Sequence, residues 1–281
     1  MTDLLNLLND SGTRWAFGFG TSTLVATVAW RIGALSASGV AAAAIVGGTI
    51  VATAGWWPGL ILVAFFVSAS ALSILSSMRS TGSEQARGKR RDAVQVFANG
   101  GTPMVLAVCS ALAGNPAPWQ VAMVAAIAGA TSDTWGTETG RLSRTQPRVI
   151  TTGKPAPPGT SGAISTTGTI GSAAGALLIG LVAGVGTTIG WEIPGLTAAP
   201  LILIATVSGF SGSITDSLLG ATIQARYWCP TCHTHTEMLV HNCGTPTSLV
   251  RGHAWLNNDA INLLAIFAAA LIGFGAGSIW S

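Results

Sequence analysis

The chain has 281 residues, of which 49% are hydrophobic, only 8% are charged and 36 are glycine, a composition that excludes an ordinary soluble domain. A net charge of +3 says little about nucleic acid, and none is expected as a partner. An integral membrane protein is the class that fits, with the lipid bilayer as its surroundings.

A spanning helix needs roughly 20 mostly apolar residues. Eight runs of about that size can be drawn, at 15–29, 36–54, 58–78, 93–113, 120–137, 162–190, 198–224 and 256–279. The predicted fold is all-α, a single polytopic membrane domain over 1–281 with about eight transmembrane helices. Residues 1–14 are polar and lack a basic start followed by an apolar run, so no cleaved signal peptide is expected. Basic residues in short loops stay on the cytoplasmic side. Threading eight spans puts Arg31, Arg79, Arg87, Lys89, Arg90, Arg91, Arg141, Arg144, Arg148, Lys154, Arg226 and Arg251 there, leaving Arg14 alone of the 13 basic residues opposite. Both termini are then expected on the outer side.

The first three spans carry no acidic residue and read as scaffold, with Trp56, Trp57 and Pro58 at an outer turn suited to an aromatic belt. A basic loop at 79–91 follows, a topology signal that can also touch anionic lipid. The fourth span opens on Asp92 and meets Asn99, Gly100, Gly101 and Pro103 within its first three turns. Non-helical backbone at membrane depth is tolerated only where protein buries it or it lines a wet cavity. A broken helix beside a site is therefore expected there, a packed proline kink being the plainer alternative. Cys109 reads as inert packing.

The fifth span ends in Ser132-Asp133-Thr134-Trp135-Gly136-Thr137-Glu138, and a second basic loop at 141–161 brings Arg141, Arg144, Arg148 and Lys154. An unpartnered carboxylate at that depth is costly. Cations or a metal ion are its natural partners, and carboxylates beside cations are what a Mg²⁺-bound phosphate requires. Gly159-Thr160-Ser161-Gly162 is predicted to open the sixth helix, where free N–H groups would meet phosphate. The segment lacks the glycine, lysine, hydroxyl order of a P-loop.

In the seventh span Gly212-Ser213-Ile214-Thr215-Asp216-Ser217 echoes Gly129-Ala130-Thr131-Ser132-Asp133-Thr134. Asp259-Ala260-Ile261-Asn262 likewise echoes Asp92-Ala93-Val94-Gln95, so internal repeats are expected. The eight-span topology brings Asp92, Asp133, Glu138, Asp216 and Asp259 to the same ends of four helices. Like charges gathered so closely resist ionisation without a cation among them, and all-oxygen ligands favour Mg²⁺. The alternative is that each carboxylate pairs with a different arginine or caps a helix.

The loop at 226–253 contains Cys229-Pro230-Thr231-Cys232 and then His241-Asn242-Cys243, three thiolates and an imidazole that make up a structural Zn²⁺ set. Disulfide pairing is the alternative, disfavoured in a reducing compartment. His233 and His235 could stand in for His241.

These motifs together resemble the integral-membrane phytyl-phosphate kinase family of vitamin E and phylloquinone precursor salvage, with its prokaryotic relatives. The resemblance runs from about Arg31 to the last helix. It rests on Asn99-Gly100-Gly101, Ser132-Asp133-Thr134-Trp135 with Glu138 and Gly140, Thr152-Gly153-Lys154 through Gly162, Asp216-Ser217-Leu218-Leu219-Gly220-Ala221, the Cys/His loop and Trp255-Leu256-Asn257-Asn258-Asp259. A weaker likeness of residues 133–162 is to polyisoprenol kinases and membrane cytidylyltransferases. The resemblance implies phosphoryl transfer from a nucleoside triphosphate, CTP being the expected donor, to a prenyl monophosphate. It implies Asp133, Asp216 and Asp259 as Mg²⁺ ligands with Glu138 and Asp92 as further candidates, and Lys154, Arg141 and Arg91 as phosphate clamps. Asn99 with Thr160, Ser161 and Gly162 would orient a phosphate. A transporter of an ion or small anion, a CTP-dependent lipid nucleotidyltransferase and a polyisoprenol kinase are the competing readings. A homo-oligomer is left open.

Overall fold

The computed structural model describes residues 11–79 and 90–280, so the polar start and most of the first basic loop, with Arg87 and Lys89, lie outside the described residues. Within them are eight long helices: α1 Ser11–Arg31, α2 Ala37–Ala54, α3 Trp56–Arg79, α4 Ala93–Leu112, α5 Ala117–Arg141, α6 Thr166–Thr188, α7 Ala198–Thr222 and α8 Asn258–Trp280. Short strands interrupt two of the links. β1 Arg148–Val149 pairs antiparallel with β2 Ala163–Ile164 between α5 and α6, and β3 Arg226–Cys229 pairs with β4 Thr234–Thr236 and β5 Ser248–Arg251 between α7 and α8.

Six helices, all but α1 and α5, are long and apolar enough to cross a membrane. The reason differs for the two exceptions. α1 carries Arg14, Arg31 and several hydroxyls and packs chiefly on α2. α5 is the central helix, packed against α3, α4, α6, α7 and α8, and every residue from Gln120 to Ser132 is buried. Because neighbours rather than lipid surround it, it can carry a polar last turn without paying the cost of exposing one to hydrocarbon.

Small residues set the spacing of this bundle, as expected where backbones must approach closely without a hydrophobic driving force. A Cβ on Gly129 of α5 would stand 2.9 Å from Ala269 Cβ of α8, and one on Gly212 of α7 would stand 3.0 Å from the same atom and 3.5 Å from Gly129 Cα. One on Gly209 would stand 2.7 Å from Ala128 Cβ. Gly168, Gly171 and Gly175 of α6 likewise seat against Gly136, Thr139 and Trp135 of α5.

Two sequence expectations are corrected. α4 is not broken: it runs as helix through Asn99, Gly100, Gly101 and Pro103, with Gly100 seated against Val46 and Gly101 in open space. The glycines there serve close packing and the proline is absorbed. The sixth helix does not begin at Gly159–Gly162. Its N-cap is Ser165, whose hydroxyl accepts from Gly168 N, and Ala163–Ile164 before it is extended.

Candidate functional site

The end of the bundle where α5 and α7 finish and α6 and α8 begin also carries the described basic residues of the loops, and it collects most of the predicted site residues. Asp133 lies four residues past Gly129 and Asp216 four past Gly212, so both fall one turn beyond the tight α5, α7 and α8 contact and close to the same faces. Both are half-buried. With its amide turned nitrogen-inward, Asn262 of α8 donates to Asp216 Oδ2 at 3.0 Å and to Asn258 O at 3.1 Å. Asp259 stands half-buried in the first turn of α8, which Asn257 caps by accepting from Ala260 N at 3.0 Å. Three helices thus bring Asp133, Asp216 and the Asp259/Asn262 turn to one level. Asp133 is eight residues and Asp216 six residues short of their helix ends, a set-back of about 12 and 9 Å.

A hydroxyl network lies beside them. Ser132 Oγ donates to Ser172 O at 2.9 Å, and Ser172 Oγ meets Ser213 Oγ at 3.0 Å, tying α5, α6 and α7 together next to both aspartates.

Glu138 does not join this set. Five residues past Asp133 turns it about 140° round the helix, where it is buried against α3, accepts from Ser76 Oγ, and forms an ion pair with Arg141 Nη1 at 3.1 Å. The expected metal ligand and the expected phosphate clamp therefore hold each other. Asp92 is also placed elsewhere: it is exposed, N-caps α4 by accepting from Gln95 N at 3.0 Å, and forms a capping box with Gln95. Its echo with Asp259 is limited to the sequence, since Asp259 follows a cap rather than being one.

Arg91 approaches from the start of α4. Its guanidinium sits 5.7 Å from the ring centroids of both Phe65 and Phe66, and burial pulls its pKa below the ordinary value, opposed by the charge of Glu138. Asn99, two turns into α4, donates to Gln95 O at 2.9 Å. Lys154 is exposed at the end of a tight turn closed by Gly153 N to Val149 O at 2.8 Å and braced by Arg148 Nη1 to Gly153 O at 2.8 Å.

Thr160, Ser161 and Gly162 form a turn that packs on the end of α7 rather than a helix start. Gly162, at φ +75°, lies so close to Ala221 that any Cβ would collide with its backbone, so both conformation and space demand glycine. Ser161 Oγ donates to Glu237 Oε1, which also accepts from Gln224 Nε2 at 3.0 Å. Arg251 donates to Gly220 O at 2.6 Å and Ala221 O at 2.8 Å, closing the last carbonyls of α7. Glu237 and Gln224 escaped the sequence reading as site residues, and Arg251 entered it only as a basic residue of this side. A lone glutamate inside a Cys/His loop was the only available signal.

Around that loop, Cys229, Cys232, His241 and Cys243 bring one ligand atom each to within 4.8 Å of one another. Cys229 Sγ and Cys243 Sγ are 3.6 Å apart, and His241 Nδ1 is 3.2 Å from Cys243 Sγ. Zn–S bonds of about 2.3 Å at a tetrahedral angle would separate two sulfurs by about 3.8 Å, so the donors and spacing fit Zn²⁺. All four cysteines of the chain are free. Hydrogen bonds from Thr245 and then His241 draw the Cys243 thiol down to about 6, and its neighbours Cys243 and Cys229 push Cys232 up to about 12. His233 and His235 pack on Trp228 instead. Among the described residues this is the one group of three or more such side chains drawn together as a metal set. Among the described residues the aspartates are not drawn together as such a set.

The sequence profile described as integral membrane protein DUF92 matches residues 20–270. The chain belongs to this family. Within it, the chain is 30% identical over 277 residues to Protein PGR of Arabidopsis thaliana, covering 92% of this chain and 94% of the relative. It is 30% identical over 245 residues to an uncharacterised membrane protein of Methanocaldococcus jannaschii (85% and 84%). It is 25% identical over 281 residues to Protein VTE6, chloroplastic, of Arabidopsis thaliana (97% and 74%). No solved structure matches. The DUF92 match spans every described helix except the first half of α1 and the end of α8, so the aspartates, the basic loop and the Cys/His module all fall within it.

Proposed function

We propose that the protein is a Mg²⁺-dependent membrane kinase that transfers the terminal phosphoryl group of a nucleoside triphosphate, with CTP the expected donor, to a prenyl monophosphate such as phytyl or geranylgeranyl phosphate. The observation that supports this is the Gly129, Gly212 and Ala269 contact, one turn beyond which Asp133 and Asp216 follow, each about two turns inward of a cationic loop. The resemblance to phytyl-phosphate kinases supplies the reaction class.

An acceptor phosphate is already anionic near neutral pH, so the protein needs no strong base. Its task is to bring two anions together and absorb their charge. Asp133 and Asp216, with Asp259 beside them, would hold Mg²⁺, which when bound neutralises the phosphate oxygens. Lys154, exposed at the end of its turn, would meet the donor, and Arg91 with Asn99 would face the acceptor. Glu138 fixes Arg141 rather than binding metal. Structural Zn²⁺ on Cys229, Cys232, His241 and Cys243 would hold the loop whose Glu237 positions Ser161. The dominance of basic residues at this end favours a cytoplasmic site with both termini outside.

A transporter needs a path past its carboxylates. On the far side of Asp133, α5 from Val121 to Ser132 is wholly buried, and Gly273 and Gly277 of α8 press against Ala125 and Val121, which argues against one. Protein in nanodiscs, given radiolabelled CTP, Mg²⁺ and geranylgeranyl monophosphate, should form the labelled diphosphate. D133N and D216N should lose measurable turnover with unchanged size-exclusion profiles. Full turnover in either variant would refute the assignment.

A further inference from the structure

Between α1, α2, α3 and α4 lies a cavity of about 320 Å³ that the chemistry above touches only at Arg91 and Asn99. α1 packs chiefly on α2, so a gap remains between α1 and α3 with α2 and α4 behind it. The walls on α1 to α3 are almost entirely apolar, running from Phe17 and Trp56 at one end to Ala29 and Phe66 at the other. Phe17 to Ala29 is about 18 Å of helix, slightly more than one leaflet of a hydrocarbon core about 30 Å thick.

Beyond the hydroxyls of Thr21 and Ser22 on α1, the polar groups gather on one wall. Arg91, Gln95 and Asn99 line the cavity at intervals of four residues, and Arg91 is its one charged lining residue. The backbone of Arg91 is fixed by N–H donation to Ala34 O at 2.9 Å and acceptance from Ser36 N at 3.0 Å. Its guanidinium rests on two aromatic rings and makes no ion pair or hydrogen bond among the described residues. Glu138, whose charge reaches it, is already engaged by Ser76 and Arg141. A cation turned toward an apolar space without a counter-charge is costly unless an anion arrives with the ligand.

We propose that this cavity takes the hydrocarbon tail of a single-chain lipid whose anionic phosphate head binds Arg91, with Gln95 and Asn99 beside it. Resting on the reading above, that lipid is the prenyl monophosphate acceptor. Depth supports the link. Ser68, within one turn of Phe65 and Phe66 on α3, accepts from Trp135 Nε1 of α5 at 3.2 Å, and Trp135 is two residues past Asp133. The head end of the cavity and the Asp133 turn therefore lie at the same level of the bundle.

The test is photolabelling of the full chain in nanodiscs, without nucleotide or metal, by geranylgeranyl monophosphate bearing a diazirine at the tail end. Label should map to α1 and α3, fall at least tenfold with excess unlabelled lipid, and fall at least tenfold in R91Q and in A43F, which fills the cavity. Equimolar phosphatidic acid should not compete. Label confined to α5–α8 of the unaltered protein, equal competition by phosphatidic acid, or undiminished labelling in folded R91Q and A43F would overturn the proposal. Since no turnover is required, a protein without kinase activity that labels in this way keeps the pocket and loses the reading above. An active kinase labelled elsewhere does the reverse.

Discussion

Gly212→Ala tests whether helix contact sets the geometry of the carboxylates. The added methyl would stand 3.0 Å from Ala269 Cβ and 3.2 Å from Ala265 O, both on α8. Carbon atoms prefer about 3.5–4.0 Å, so α7 and α8 must separate by about 0.5–1 Å. Overpacking of this kind costs about 1–3 kcal/mol. Helix propensity returns up to about 1 kcal/mol for glycine to alanine, leaving a net loss of about 0–2 kcal/mol that a folded protein survives. Activity should respond more sharply. The displaced contact lies one turn from the 3.0 Å bond between Asn262 and Asp216, and misplacing a reacting group by about 1 Å can cost about 10²-fold. G212A should therefore lower kcat by about 10- to 100-fold with a small change in Tm. The control is G275A on α8, where an added Cβ meets nothing within 4 Å. It should keep full kcat and an equal or higher Tm. Steady-state kinetics in nanodiscs and thermal unfolding in the same lipid measure both. Equal kcat in G212A and G275A would show that the contact does not position Asp216.

Purified protein should carry about one zinc per chain by elemental analysis, and C229S with C243S should carry none. Loss of zinc should also lower activity, because the loop holds Glu237 against Ser161; unchanged kcat in a zinc-free protein would separate the two. R251M removes two charge-assisted bonds to the end of α7. With about 1.5–3 kcal/mol for each bond to a charged group, the expected loss is about 3 kcal/mol or more, read as a lower Tm; an unchanged Tm would refute it. E138Q should keep bound Mg²⁺ yet weaken nucleotide binding through a loosened Arg141, and a metal requirement shifted to higher Mg²⁺ instead would return Glu138 to the metal set.

The helical framework was legible because lipid imposes a length and a polarity on each span. One of the two exceptions, α5, shows where that signal stops: a helix sheathed by protein answers to its neighbours, not to hydropathy. The Asp133 and Asp216 echo was legible because each aspartate is tied by one turn to a glycine that the packing demands. The Glu138 and Asp92 assignments went astray for a local reason. The eight-span topology brought both to the same end of the bundle as the site, but about 140° of helical rotation sends Glu138 toward α3, and an acidic residue immediately before a helix has a backbone amide of its own to bond, as Asp92 does with Gln95. Reading Gly162 as a helix start missed the other use of glycine, a positive φ against a crowding backbone. The Glu237 link to Ser161 spans 76 residues and leaves no local pattern to read.

The sheath around α5 also explains how polar chemistry is tolerated about 12 Å inside the end of a membrane helix. A carboxylate facing lipid at that depth would be driven to its neutral form. Here Asp133 follows Ser132, whose hydroxyl reaches Ser172 and through it Ser213, and Asn262 of α8 bonds Asp216. These groups are dipoles without charge, so they make the surroundings polar while leaving room for a cation to supply the balance. Arg91 reaches in from the α4 side, and Arg141 is paired with Glu138 at the rim. A polar lining of this kind, sheathed from lipid by the surrounding helices, is what the proposed metal site would need at that depth.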